Sequence, residues 1–271
     1  MRRMILVLAD GLRPDAISPT IMPSLDALGD SYTLALHAHT VRPSATVAAL
    51  ASLATGVAPE THRLTEPGLG FLPGLGALRP VARELARIGI PTDVVTSELS
   101  GGAHAIASAL CSAAGVRAVR AAGHRARETA KAAHRLLSAP EERLVFVYLP
   151  DCDSAGHAHG WMSLEYLEAA VEVDAAIGLL SGWTDDAVLI VASDHGGGGC
   201  HLRSHDERHP ANERIPLIVA GPGVTRRHLL TRPVSLLDIP PTVLWLFGAD
   251  VPASYQGRVL AAAFARPTVP A

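Results

Sequence analysis

Aspartate and histidine gather where apolar runs of this chain stop. The run "AVLIVA" (187–192) gives way after Ser193 to Asp194-His195, four consecutive glycines, and then His201, His205 and His209. The run "RLVFVYL" (143–149) is followed by Asp151 and Asp153, with His157 and His159 just beyond, and "MILVLA" (4–9) ends at Asp10. Carboxylate and neutral imidazole are ligands that Zn²⁺ accepts, and a catalytic zinc normally takes three from protein and keeps a position open. Asp153 and His157 lie four residues apart, with Gly156 between them for a tight turn, so both are expected to face one cation. A lone aspartate after a strand is usually a helix cap or turn former; three clusters of this kind point instead to a site. His159 fits a supporting or surface role better than that of a ligand.

A candidate nucleophile lies in "TVRPSATVAALASLATG" (40–56). Pro43 breaks the preceding segment, and a small-residue helix over 46–55 is expected to end at Gly56. Thr46 then stands at the helix N-terminus, where unpaired N–H groups and the dipole favour an anion. The plain alternative makes Thr46 or Ser44 the N-cap. A threonine hydroxyl attacks only when a base or metal activates it. The Asp/His clusters would supply that metal, and an alkoxide beside two cations forms an in-line phosphoryl-transfer site.

Strands and helices alternate around these residues. Near-continuous apolar runs at 4–9, 92–96, 143–149, 187–192 and 215–221 read as strands covered on both faces. Helical spacing marks 46–55, 79–88, 101–114, 125–138, 161–181 (N-capped by Ser163) and 235–247. The expected fold is α/β, a mainly parallel sheet with helices on both sides. Such sheets bind ligands outside the carboxyl ends of their strands. One domain over 1–271 is expected, with a small cap or irregular insertion allowed within 63–135. The Gly/Pro-rich stretch 63–76 reads as a surface loop, and the residues after about 262 as a loose tail.

Composition narrows the partners. The chain has 271 residues, 48% hydrophobic, 18% charged, with net charge −3. It lacks long Lys/Arg runs and has only 4% aromatics, which argues against nucleic acid as the main partner. No apolar run reaches membrane-span length. The opening "MRRMILVLADG" is too short in its apolar part for a secretion signal and meets Asp10, so it reads as a first strand and a cytoplasmic location is expected. An odd set of cysteines (Cys111, Cys152, Cys200) fits a reducing compartment.

Taken in order, "VLADGLRPDAI", "PSATVAALASLATGVAPETH", "LPDCDSAGHAHG" and "SDHGGGG…SH…IPLIVAGPGV" resemble the metal and nucleophile motifs of the alkaline phosphatase superfamily. The nearest branch is the type I phosphodiesterase/nucleotide pyrophosphatase group, and "SLLDIPPTVLWLFGADVPASYQGRVL" is similar to the closing segment of many members. The resemblance implies a three-layer αβα sandwich with two divalent metal ions, zinc first, with Mn²⁺ or Fe compatible. Asp10, Thr46, Asp194 and His195 would hold one metal, with Thr46 as covalent nucleophile; Asp153 and His157 would hold the other. The third ligand of that second metal is expected about ten residues before Ile215-Pro216, which selects His205, then His209, then His201. Cys200 has no role in that pattern.

The implied activity is hydrolysis of a phosphodiester or nucleotide pyrophosphate bond through a phospho-threonine intermediate, on a small-molecule phosphate ester or nucleotide. A phosphomonoesterase and a phosphonoacetate hydrolase-like enzyme would use the same metals, and a retired metal- or nucleotide-binding protein is the alternative of another class. Arg13 and Arg42 lie in segments suited either to substrate phosphate or to plain solvation. Two features depart from the pattern. The asparagine usual three residues after the nucleophile, an oxyanion donor, is Ala49 here, and the chain is short for the superfamily, so any specificity cap is expected to be small; the missing Cys/Ser-x-Pro-x-Arg motif argues against a sulfatase. Oligomeric state is open.

Overall fold

The computed structural model describes residues 3–35, 37–65, 78–98 and 101–265. In chain order the strands are β1 (Arg3–Ala9), β2 (Thr33–Ala35), β3 (Ala38–His39), β4 (Thr92–Thr96), β5 (Ala118–Ala121), β6 (Arg143–Leu149), β7 (Ala187–Ala192), β8 (Arg214–Ile215), β9 (Leu217–Ala220), β10 (His228–Leu230) and β11 (Val234–Ser235). The helices are α1 (Pro23–Ser31), α2 (Thr46–Thr55), α3 (Pro59–His62), α4 (Val81–Arg87), α5 (Gly101–Ala113), α6 (Ala126–Leu137), α7 (Asp151–His159), α8 (Leu164–Ser181), α9 (Pro210–Glu213) and α10 (Ile239–Phe247).

Eight strands form the main sheet in the order β10-β2-β9-β7-β1-β6-β4-β5, and β11-β3-β8 form a small second sheet. β1 lies inside the large sheet, parallel to β6 on one side and β7 on the other. Ile5, Val7, Leu8 and Ala9 of β1 are fully buried, as are Leu189, Ile190, Val191 and Ala192 of β7. Each large apolar side chain so buried contributes about 1.5–3 kcal/mol, so these strands anchor the core. One layer of helices packs α6, α7 and α1 against α8, and the other groups α2, α4 and α10. The fold is the three-layer α/β sandwich that the alternation of elements calls for.

Several elements differ from the sequence reading. The run 215–221 is broken at Pro216: β8 pairs with β3 in the small sheet, while β9 runs antiparallel to β7 and β2. A strand covered on both faces is continuously apolar in either direction, so hydrophobicity alone does not distinguish parallel from antiparallel. Helix α8 begins at Leu164 rather than 161, and its cap is the expected one, with Ser163 Oγ accepting from the Tyr166 amide at 3.2 Å. Helix α1, absent from the sequence reading, starts at Pro23 and has first-turn amides satisfied from far along the chain. Asp174 of α8 accepts from the Leu25 and Ser24 amides at 2.8 and 3.1 Å.

The region 101–135 flanks the sheet, supplying α5, the edge strand β5 and most of α6. Of the expected loop 63–76, only 63–65 fall within the described residues. The chain beyond 262 is tied down as far as 265. Phe264 bridges to Val224 and packs on Trp245, and the Ala265 amide donates to Gly223 O at 2.9 Å. No helix among the described residues is long and apolar enough to cross a membrane.

Candidate metal centre

Because β1 pairs in register with both neighbours, Ala9 lies opposite Leu149 and Leu8 opposite Ala192. The residues that follow these three strands therefore emerge at one level of one sheet edge. The Asp10 amide extends the ladder to Leu149 O at 2.9 Å, and Asp10 O in turn accepts from the Asp153 amide at 3.0 Å. Gly11 turns the chain with φ +67°, and a Cβ there would lie 2.8 Å from Asp153 Cα. Only glycine brings Asp10 this close to the start of α7. Asp194 Oδ1 accepts from the Gly11 and His195 amides at 3.1 and 2.9 Å, which knits the ends of β1 and β7 together.

Two groups of ligand-type atoms result, Asp10 with Asp194 and His195, and Asp153 with His195 and His205; within each the atoms lie within 4.8 Å of one another. Thr46 Oγ1 stands 3.1 Å from His195 Nε2, and His157 Nε2 stands 3.4 Å from Asp153 Oδ1. The structure thus gathers all seven residues singled out in the sequence at one place, with His195 between the two groups. The other candidate histidines are elsewhere. His209 caps α9, its Nδ1 accepting from the Ala211 amide at 3.1 Å; exposed His201 faces Glu207 at 3.1 Å, and exposed His159 faces Glu165 at 3.9 Å. Cys200 is exposed and belongs to neither group.

The donor chemistry fits divalent cations. Asp10 Oδ1, Asp153 Oδ1 and Asp194 Oδ2 are buried oxygens with no hydrogen-bond partner. Leaving such atoms unpaired is costly unless a proton or cation sits against them. The histidines are prepared in the same sense. Nδ1 lies 2.8 Å from Gly196 O in His195, 2.9 Å from Arg203 O in His157 and 2.6 Å from Ser44 O in His205. A carbonyl can only accept, so Nδ1 carries the proton and each ring offers the lone pair of Nε2, as metal-ligating histidines do. Burial, and then the neighbouring His195, lowers the His205 pKa and favours the neutral form that a cation needs. Burial also raises the carboxyl pKa values, Asp10 well above the usual range with help from Asp194, and Asp194 to about 6.

Three aromatic residues that the sequence reading passed over hold this arrangement. Tyr148, at the end of β6, donates its hydroxyl to Asp10 Oδ2, which leaves Oδ1 as the unpaired oxygen. Trp161 Nε1 and the Tyr166 hydroxyl both donate to Gly11 O, at 2.9 and 3.0 Å. The Trp161 ring meets the His157 ring edge-on at 5.0 Å between centroids. Its position also explains the glycines. Asp153 and His157 are one turn apart on α7, so Gly156 makes no turn; a Cβ there would lie 2.6 Å from Trp161 Cδ2. In the run 196–199, Gly197 and Gly198 face the same ring, Gly196 faces Ala211 O and Gly199 faces His209. The glycines admit Trp161 and the 209–211 segment.

Gly156→Ala separates two effects of opposite sign. Helix propensity favours alanine by about 1 kcal/mol, whereas forcing a methyl group into a filled space costs about 1–3 kcal/mol. With the indole fixed by its hydrogen bond to Gly11 O, the clash is expected to prevail. A lowered Tm by calorimetry is the expected result, and a raised one would mean that the ring yields.

The arginines are engaged near the site. Arg13 Nη1 donates to Gly197 O at 3.2 Å and its other nitrogen pairs with Asp15. Arg42 pairs with Glu213 at 2.7 Å and lines, with Ser44, Asp206, Glu207 and Arg208, a cleft of about 300 Å³. Ala49 is fully buried in the core, so position 49 supplies no side-chain donor.

The model of the type I phosphodiesterase / nucleotide pyrophosphatase family matches residues 4–68 and 92–224. GPI ethanolamine phosphate transferase 1 of Candida glabrata is 28% identical over 138 residues, 42% of this chain and 15% of that protein. An endo-4-O-sulfatase of Bacteroides thetaiotaomicron is 34% identical over 110 residues, 36% of this chain and 22% of that protein. The matches thus span less than a quarter of these relatives' length. The solved phosphonate monoester hydrolase of Silicibacter pomeroyi superposes with a TM-score of 0.69 at 17% identity, over 96% of this chain and 76% of that one, a likeness of fold. With the family model matching most of its length, the chain, which has an alkaline phosphatase-like fold, belongs to the type I phosphodiesterase / nucleotide pyrophosphatase family.

Proposed function

We propose that this chain hydrolyses phosphodiester or nucleotide pyrophosphate bonds of small molecules, with Thr46 as nucleophile. The observation that carries this reading is Thr46 Oγ1 at 3.1 Å from His195 Nε2, amid three buried carboxylate oxygens that lack partners. Two divalent cations, zinc by preference, held by Asp10, Thr46, Asp194 and His195 and by Asp153, His157 and His205, would lower the pKa of hydroxyl and water and offset phosphate charge. Thr46 is the first residue of α2, so the amides of the first turn have no helical acceptor and are free for a phosphate oxygen. Thr46 Oγ forms a bond to phosphorus as the ester P–O bond breaks, and the leaving oxygen departs with the bonding pair. Water then cleaves the phospho-threonine, restoring the hydroxyl and releasing a phosphomonoester.

Ala49 does not by itself select the substrate: a monoester dianion presents three terminal oxygens and a diester two, but the phosphodiesterase group usually keeps the side-chain donor that is missing here. A phosphonate monoester also has two terminal oxygens and is the natural competitor. The test is turnover of bis-p-nitrophenyl phosphate, p-nitrophenyl phosphate and p-nitrophenyl phenylphosphonate on protein of measured metal content. Fastest turnover of the first, with about two metals per chain, is expected. Monoester preference would overturn the substrate class, and bound metal with no turnover of any ester would leave a binding protein.

A further inference from the structure

The two halves of the site come from segments far apart in sequence, one leading into α2 and the other the loop that carries His205. A reciprocal pair of hydrogen bonds joins them. Ser44 Oγ donates to His205 O at 2.7 Å, and His205 Nδ1 donates to Ser44 O at 2.6 Å. Both residues are buried, Ser44 5% and His205 7% exposed, so water does not compete for either bond. Ser44 is not the cap of α2. Ala45 occupies that position and makes no side-chain cap, which leaves the Ser44 hydroxyl to the histidine segment.

This pair fixes two things at once. It sets the tautomer of His205, so that Nε2 points toward Asp153 Oδ1 at 3.9 Å while the ring stacks on His195 with centroids 3.9 Å apart. It also anchors the backbone two residues before Thr46, whose Oγ1 meets His195. The nucleophile and the distal histidine are therefore positioned by one connection. We propose that Ser44 is a positioning residue that holds His205 as a cation ligand in register with Thr46. Loss of its hydroxyl would weaken the cation position of Asp153, His157 and His205 selectively.

This inference rests on the two-cation reading above, and the test keeps the two apart. Chelator-treated wild-type protein, Ser44→Ala and Ser44→Thr would each be titrated with Zn²⁺ against a competing chromophoric chelator. Two binding steps in the wild type bear on the reading itself, and their absence would remove both claims. Hydrogen-bonding partners of metal ligands typically contribute about 10–100-fold in affinity. Ser44→Ala is therefore expected to weaken one step by about that factor and leave the other unchanged, and Ser44→Thr, which keeps the hydroxyl, to restore it. Two unchanged steps in Ser44→Ala, or equal weakening of both, would overturn the positioning role. Thermal unfolding of the metal-free proteins supplies a control, since a purely structural serine would lower Tm while leaving the zinc steps alone.

Discussion

Thr46→Ala is expected to lower phosphodiester turnover by about 10⁴-fold or more, the scale seen when a covalent nucleophile is removed, while the protein keeps its metal content. Thr46 Oγ1 lies 3.1 Å from His195 Nε2, the nitrogen left to a cation when Nδ1 donates to Gly196 O. A cation held there would lower the pKa of the hydroxyl. Removing the hydroxyl takes away the attacking atom but none of the carboxylate or imidazole ligands, so two metals per chain should remain by elemental analysis. Thr46→Ser keeps the oxygen and is expected to retain much of the activity. An alanine variant within about tenfold of wild type would mean that water attacks phosphorus directly, and Thr46 would then be a ligand or a helix residue only.

Removing metal is expected to destabilise the protein, and more so as the pH rises from about 4 to above 6. In the metal-free chain, burial raises Asp10 well above the usual carboxyl range, and raises Asp194 from 3.8 to about 6. A raised folded-state pKa means that the native protein binds more protons than the unfolded chain between the two values. Stability is then fully present below about 4 and is lost as the pH climbs through the folded value. From Asp194 alone, a shift from 3.8 to about 6 corresponds to about 3 kcal/mol. A cation takes the place of those protons, so the loaded protein escapes the loss; its whole gain over the metal-free chain is about 4 kcal/mol at a thousand times the Kd that holds at that pH. Calorimetry with and without chelator should therefore show a Tm gap that widens from pH 5 to pH 7.5. Equal Tm values with and without chelator across that range would mean that no metal stabilises these carboxylates.

The register of the sheet links both expectations to the fold. The acidic residues are buried because they follow strands buried on both faces, and they converge because those strands end level. Proteins of this kind place an unfavourable cluster of charge where only a ligand relieves it.

Much of this was legible in order along the chain. Period and run length marked β1, β4, β6, β7, α2 and α8, because a buried parallel strand must be apolar throughout and a helix must repeat its apolar face. Asp10, Asp153, Asp194 and His195 were visible as polar residues within a few positions of the ends of such runs, and Thr46 as a residue just after a proline break at a helix start. His205 was favoured over His209 and His201 only through family resemblance; spacing alone left all three in play. Other features depended on contacts between distant residues. α1 owes the partners of its first-turn amides to Asp174, the glycines their necessity to Trp161, and Asp10 its free oxygen to Tyr148. Composition and periodicity report the environment of a residue along its own element. They do not report which side chain arrives from elsewhere, and a site made where three strands, a helix start and a returning loop meet is decided by those arrivals.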